Sequence, residues 1–316
     1  MKRIFDLEYQ DFMTLKSAEL IETIKHSEGR TVMSETVISL MSLSEGISNP
    51  ELAKAFGADL ITLNTFNMEK PFIFGYDDRM IKSYGSVDTY AEAIIERIAG
   101  NQKNPDYIRD FKAMVGRFLG VNLEPIYKGQ TYPEGLKLTR ANLERFRDFG
   151  FDYLMITANP NTGVDSDDII QGVQLAREVL GENVFIIAGK MHGASTGNIY
   201  DESSLQSFME AGADCILLPA PGTVPAMNQA LAERMIELVH AHGKLAMTTI
   251  GTSQESSDEA TIQSIALMAK MAGADIQHIG DAGFMGIALP ENIMTLSRTI
   301  RGKRHTYRQI ARSSRR

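Results

Sequence analysis

Apolar residues in this chain follow two periods in turn: short apolar runs, then longer stretches with an apolar residue every third or fourth position. That is the mark of strand and helix alternating. Residues 6–27 carry Leu15, Ala18, Ile21 and Ile24 at helical spacing, which predicts a helix that closes the floor of the fold ahead of the first strand. The first strand is predicted over 30–37. Ser48-Asn49-Pro50-Glu51 reads as a capping box with proline in the first turn, so a helix opens there and stops at Gly57. A strand at 60–64 comes next. Residues 66–113 exceed the needs of one crossover and hold helical patterns at 87–99 and 105–114, which predicts a helical insertion. The aromatics of 71–76 are read as sealing its small core. Further strands are predicted at 118–125, 153–159, 184–188, 215–218 and 245–250. Helices are predicted at 139–149, 166–180, 205–211 and 227–242. Ser256-Ser257-Asp258-Glu259 reads as a second capping box, opening a helix that ends at Gly273 before the eighth strand.

The strand entries repeat. Gly57-Ala58-Asp59, Gly150-Phe151-Asp152, Gly212-Ala213-Asp214 and Gly273-Ala274-Asp275 each precede an apolar run, and their glycines lie 93, 62 and 61 residues apart. A βα unit takes about 30 residues, so about 60 is two of them. The four copies then mark every second strand of an eight-stranded barrel, with the insertion between the first two. The whole of 1–316 reads as one (β/α)₈ TIM-barrel domain.

Composition agrees. With 43% hydrophobic residues the chain can bury a large core, and no apolar run approaches the 18 residues of a membrane span. The start, Met1-Lys2-Arg3-Ile4-Phe5-Asp6, meets an acid too soon for a secretory signal. Cys215 is the only cysteine, which fits a reducing compartment. A cytoplasmic homo-oligomer with no membrane partner is expected. Net charge is −8, yet the eight basic residues after Glu291 carry +8, leaving −16 on the body. The basic 298–316 tail lacks interleaved aromatics apart from Tyr307. Docking as a C-terminal helix on the acidic body or a neighbouring subunit is therefore expected over a nucleic-acid contact.

Alternation assigns faces. Counting from each repeat aspartate, the second and fourth positions are aliphatic except Gln277, as helix-facing positions should be, so the third and fifth point into the barrel. This puts Asn64, Thr157 and His278 in the lumen near its mouth, with His278 deeper and read as a hydrogen-bonded core histidine. In strand 5, Lys190 and His192 share a face opposite Phe185 and Ile187. A lysine on the inner face can form an imine, act as base or bind an anion, and a histidine beside it can shuttle protons. Glu35 and Glu124 fall late in their strands, as general acid and base or as Mg²⁺ ligands. Catalytic candidates are thus Lys190, His192, Glu35 and Glu124.

Two glycine-bearing turns follow the last strands: Gly251-Thr252-Ser253 and Gly280-Asp281-Ala282-Gly283-Phe284-Met285-Gly286. On these turns the chain resembles the phosphate-binding (β/α)₈ barrels, the superfamily that includes the ribulose-phosphate epimerases. The resemblance implies a phosphate held by Gly251, Thr252, Gly280 and Gly283; Asn64 and Thr157, placed at the mouth by alternation, are the further substrate-binding candidates. Asp281 departs from that pattern, because a carboxylate beside a phosphate calls for a cation between them. The implied activity is isomerisation, epimerisation or carbon–carbon lyase chemistry on a small phosphorylated sugar or oxoacid. Gly189-Lys190-Met191-His192-Gly193 and the last turn also resemble the phosphoenolpyruvate mutase and isocitrate lyase barrels. That alternative brings Mg²⁺ bound by Glu35, Glu124 or Asp281. A third reading is a non-catalytic receptor for a phospho-ligand, with the basic tail as its contact surface.

Overall fold

The computed structural model describes residues 1–81, 85–127, 131–159, 162–191 and 201–312. Eight parallel strands close into a barrel in chain order: β1 Thr31–Val37, β2 Leu60–Asn64, β3 Phe118–Asn122, β4 Tyr153–Ile156, β5 Phe185–Gly189, β6 Cys215–Pro219, β7 Leu245–Ile250 and β8 Ile276–Ile279. β1 pairs with β8 through Met33 and His278, and with β2 through Glu35 and Thr62. Around the barrel run α3 Asn49–Ala55, α5 Tyr107–Val115, α6 Arg140–Phe149, α7 Ser166–Leu180, α8 Glu202–Glu210, α9 Gln229–Ala241, α10 Glu259–Met271 and α11 Pro290–Ala311. The insertion after β2 contributes α4 Val87–Asn101 as well as α5. Tyr76 meets Phe111 at 4.9 Å there and packs on the main layer between strands and helices, so the segment extends that core and does not seal a small one of its own.

The alternation is borne out. Ile61, Leu63, Leu154, Ile156, Ile216, Leu218 and Ile279 belong to the layer between strands and helices. Met33, Leu60, Phe118, Tyr153, Met155, Phe185, Ile187, Leu217 and Met247 fill the lumen. Burying that many side chains of this size is the main stabilising effect. The lumen is plugged from below by Phe5, Phe12, Leu20 and Ile24. Here the expected single helix over 6–27 is broken into α1 Tyr9–Thr14 and α2 Ser17–Lys25. Leu15 and Lys16 stand extended between them, and Glu19 folds back onto the Lys16 amide to start the second helix. The second capping box is corrected too. Asp258 caps α10 by accepting the Thr261 amide, while Ser256 belongs to a preceding 3₁₀ turn.

The repeat aspartates have one shared task, at the N-terminal floor of the barrel. Asp59, Asp152, Asp214 and Asp275 accept the backbone N–H of Val32, Leu119, Ile186 and Ala246, each in the preceding strand. Each also meets a cationic or ionisable base: Arg301 at 2.6 Å, Lys112 at 2.6 Å, Arg177, and His240 at 2.8 Å. Arg301 comes from α11, so the basic tail docks on the body as expected. Arg298 and Arg308 likewise pair with Glu259 and Asp6. Among the described residues no helix is long and apolar enough to cross a membrane.

Candidate active site

The opposite end of the barrel is a different electrostatic environment. Met33 points into the lumen, so two residues on Glu35 does too, and it is 2% exposed. Its Oε2 stands 3.3 Å from Nε2 of the fully buried His278. Neither ring nitrogen has a hydrogen-bond partner among the described residues, so the expected hydrogen-bonded core histidine is not what forms. Burial pushes the imidazole down to about 4 against the pull of Asp281 and Glu255. Burial, then the Glu255 charge, pushes Glu35 up to about 8. Two groups whose charged forms are both penalised therefore face each other uncharged at neutral pH, which makes the pair a neutral contact rather than a salt bridge.

Glu124 arrives from β3 by the same alternation. Its Oε1 accepts from Asn122 Nδ2 at 3.4 Å and from Asn159 Nδ2, and its Oε2 accepts the Asn159 amide at 3.2 Å. Burial raises it to about 8, the Glu35 charge adding and the asparagine donors opposing. Asp281 follows β8 and is raised to about 7 by burial and by Glu35, while Asn64 Nδ2 holds it at 2.7 Å. Glu255, from the 3₁₀ turn Gln254–Ser256, is the fourth member. Burial, with the Asp281 charge beside it, raises its pKa, the nearby Ala282 amide opposing. Gly280 makes room for this carboxylate: a Cβ there would lie 2.5 Å from Glu255 Oε1. Among the described residues no lysine or arginine pairs with any of the four. Glu35 Oε1, Glu255 Oε2, Asn122 Oδ1 and Thr157 Oγ1 are buried without a hydrogen-bond partner among those residues.

Glu35, Glu124, Asn64, Asp281 and Gly280 are thus brought together at the C-terminal end of the barrel. Lys190 is not on the expected face. Phe185 and Ile187 fill the lumen, which turns Ile186, Ala188 and Lys190 toward the helices. Lys190 Nζ donates to Ser166 Oγ at 2.9 Å in the first turn of α7. Burial lowers its pKa, with Asp165, Asp201 and Asp167 opposing. His192 lies outside the described residues. Gly251 abuts Met191, and Thr252 donates to the Thr223 carbonyl at 2.6 Å. Gly283 packs against Ile287 and Ala288. Sequence reasoning missed Glu255 and Asn159. The available signals were a glutamate just past a glycine turn and an asparagine at a strand's end.

A family model described as a domain of unknown function, DUF7916, matches residues 5–316. The chain belongs to the DUF7916 family. No curated protein matches this DUF7916 sequence. Among solved structures, it is similar to the carboxyl transferase domain from Rhizobium etli pyruvate carboxylase with 3-bromopyruvate, at 13% identity and TM-score 0.50. That likeness covers 98% of this chain and 52% of the other. Oxaloacetate acetylhydrolase gives 13% identity, coverage of 85% and 81%, and TM-score 0.49. 2,3-Dimethylmalate lyase, of the PEP mutase/isocitrate lyase superfamily, gives 14%, 85% and 83%, and 0.48. These likenesses concern the fold.

Among the described residues no three His, Cys, Asp or Glu side chains of this DUF7916 member converge closely enough to hold a metal ion unaided. The unpartnered Glu35 and Glu255 oxygens and the Asp281 carboxylate are nevertheless hard oxygen donors that lack a counter-charge among those residues. They suit a cation such as Mg²⁺ that keeps waters and takes its remaining ligands from substrate.

Proposed function

We propose that this barrel is an enzyme that moves a proton on a small oxoacid, in the service of isomerisation or carbon–carbon cleavage. One observation carries the reading: Glu35 and Glu124 are both buried and both raised to about 8, and the charge of Glu35 adds to the rise at Glu124. Groups held near 8 are mostly protonated at neutral pH and release their protons around pH 8, so each can donate while protonated and accept once ionised. The ionised member takes the proton beside the substrate carbonyl, and the protonated member donates to the carbonyl oxygen as charge develops there. His278 and Thr157 offer neutral polar atoms to the same space. Mg²⁺, where bound by Glu35, Asp281 or Glu255, would polarise the substrate carbonyl and balance its carboxylate.

The oxoacid reading is preferred to a phosphorylated sugar because the last turn is already taken by an anion of the chain itself. The Ala282 amide, one of the donors a phosphate would use, faces Glu255. A receptor acting through its basic tail is disfavoured, since Arg298, Arg301 and Arg308 are engaged by Glu259, Asp59 and Asp6.

The test is exchange of solvent deuterium into a panel of 2-oxoacids, followed by proton NMR with and without Mg²⁺. The wild-type chain should accelerate exchange at C3 of at least one member, and Glu35→Gln or Glu124→Gln should cut that rate by about 10²–10⁴-fold. Exchange no faster than buffer across the panel would remove the proposal.

A further inference from the structure

A cavity lies at the other end of the molecule, beside the floor. It holds about 810 Å³ between the α1–α2 connection, the ends of α6 and α7, and the start of β5. Four basic side chains line it, Lys16, Arg109, Lys112 and Arg147, against one acid, Asp152. Lys112 is bound to Asp152 at 2.6 Å. Among the described residues Arg109 and Arg147 form ion pairs only with Asp106 and Asp148, both well exposed, at 3.2 Å each, and such surface pairs exchange readily for a better anion. Gly150 shapes the rim, because a Cβ there would lie 3.0 Å from Arg109 Nε, so the absence of a side chain lets the guanidinium lie over the end of α6. The remaining wall is mixed: Leu15, Leu180 and Val184 give it apolar stretches, and Thr14, Ser17 and Asn183 polar ones.

We infer that this cavity is a second binding site, for an anionic metabolite that joins a multivalent phosphate or carboxylate head to an apolar body. The head faces Arg109, Arg147 and Lys16, whose guanidinium forks and ammonium group match such oxyanions, and the body covers the apolar stretches of the wall. The site is separate from the four acids at the mouth, so it does not depend on the proposed reaction.

Thermal unfolding of the full chain with citrate or pyrophosphate, against sodium chloride at equal ionic strength, tests it. One of the two anions should raise Tm by about 2 °C or more beyond the salt control. Which one does so tells a carboxylate head from a phosphate. Arg109→Ala/Arg147→Ala should abolish the rise, while Glu35→Gln should keep it. Both arginines are half-exposed, and the unliganded double variant should melt near the wild type. A wild-type shift no larger than the salt control overturns the site. So does a shift that survives the double arginine variant or disappears in Glu35→Gln.

Discussion

The two ends of this barrel use carboxylates in opposite ways. At the floor, Asp59, Asp152, Asp214 and Asp275 each accept a strand amide, and each meets a basic side chain. At the mouth, Glu35, Glu124, Asp281 and Glu255 are just as enclosed, yet no lysine or arginine among the described residues answers them. Their pKa values rise, to about 8 for the first two and about 7 for Asp281. The difference teaches where the chain holds itself together and where it holds charge in reserve for something else. Groups of one chemical type are structural when their charge is matched, and available for proton transfer when it is not.

That contrast can be broken most forcefully at its floor. Asp59→Ala strands the fully buried Arg301 and should cost about 3–5 kcal/mol, read as a lower denaturant midpoint. Glu35→Gln should leave the midpoint unchanged or raise it at pH 8, because it removes an unmatched charge. Equal losses in the two variants would erase the distinction. Next in size is Gly280→Ala, whose methyl group would press on Glu255 Oε1 and, at 2.9 Å, on the Ile250 carbonyl. A destabilisation of about 1–3 kcal/mol is expected by the same measurement. Glu255→Gln in that background should not relieve it, since the amide is no smaller.

The smallest effect is a slope with pH. Glu35 and Glu124 titrate near 8 in the folded chain against an ordinary 4.5. Their stabilising contribution is therefore full below about pH 4 and fades as pH rises through 8. His278 works in the other direction. Its folded value of about 4 lies below the ordinary 6.5, so its contribution is lost as pH falls from 6.5 to 4. Between pH 6.5 and 8.5 the raised carboxyls dominate, and Tm should decline. Glu35→Gln should flatten the decline, and an unchanged slope would contradict a protonated, buried Glu35 in the folded chain.

Much of this architecture is legible in the sequence, because the barrel imposes its periods on the chain. The repeat places four strands, and its aliphatic second and fourth positions orient them correctly. Those same positions do not reveal that the aspartate ahead of them is a floor clasp, since its partners Arg301 and Lys112 lie 242 and 40 residues away. Strand 5 misleads at Lys190 because its alternation leaves the choice of face open. The choice falls to the bulk of Phe185, which packs in the lumen 6.3 Å from Tyr153, its register partner on the neighbouring β4. Glu35 and Glu124 are visible by their position late in a strand. Glu255 is not, because only the bend of a 3₁₀ turn carries it to Gly280.

The clasp on Asp59 also orders events during synthesis. Arg301 and Gln309 both bond to a carboxylate made 242 and 250 residues earlier, and Arg117 reaches the Gln309 carbonyl at 3.3 Å. A nascent chain that has threaded its first strands through the ribosome must leave that carboxylate without these contacts until residues 301–309 emerge. Docking of α11 on the floor is in that sense the last step, following the pairing of β8 with β1 that closes the barrel.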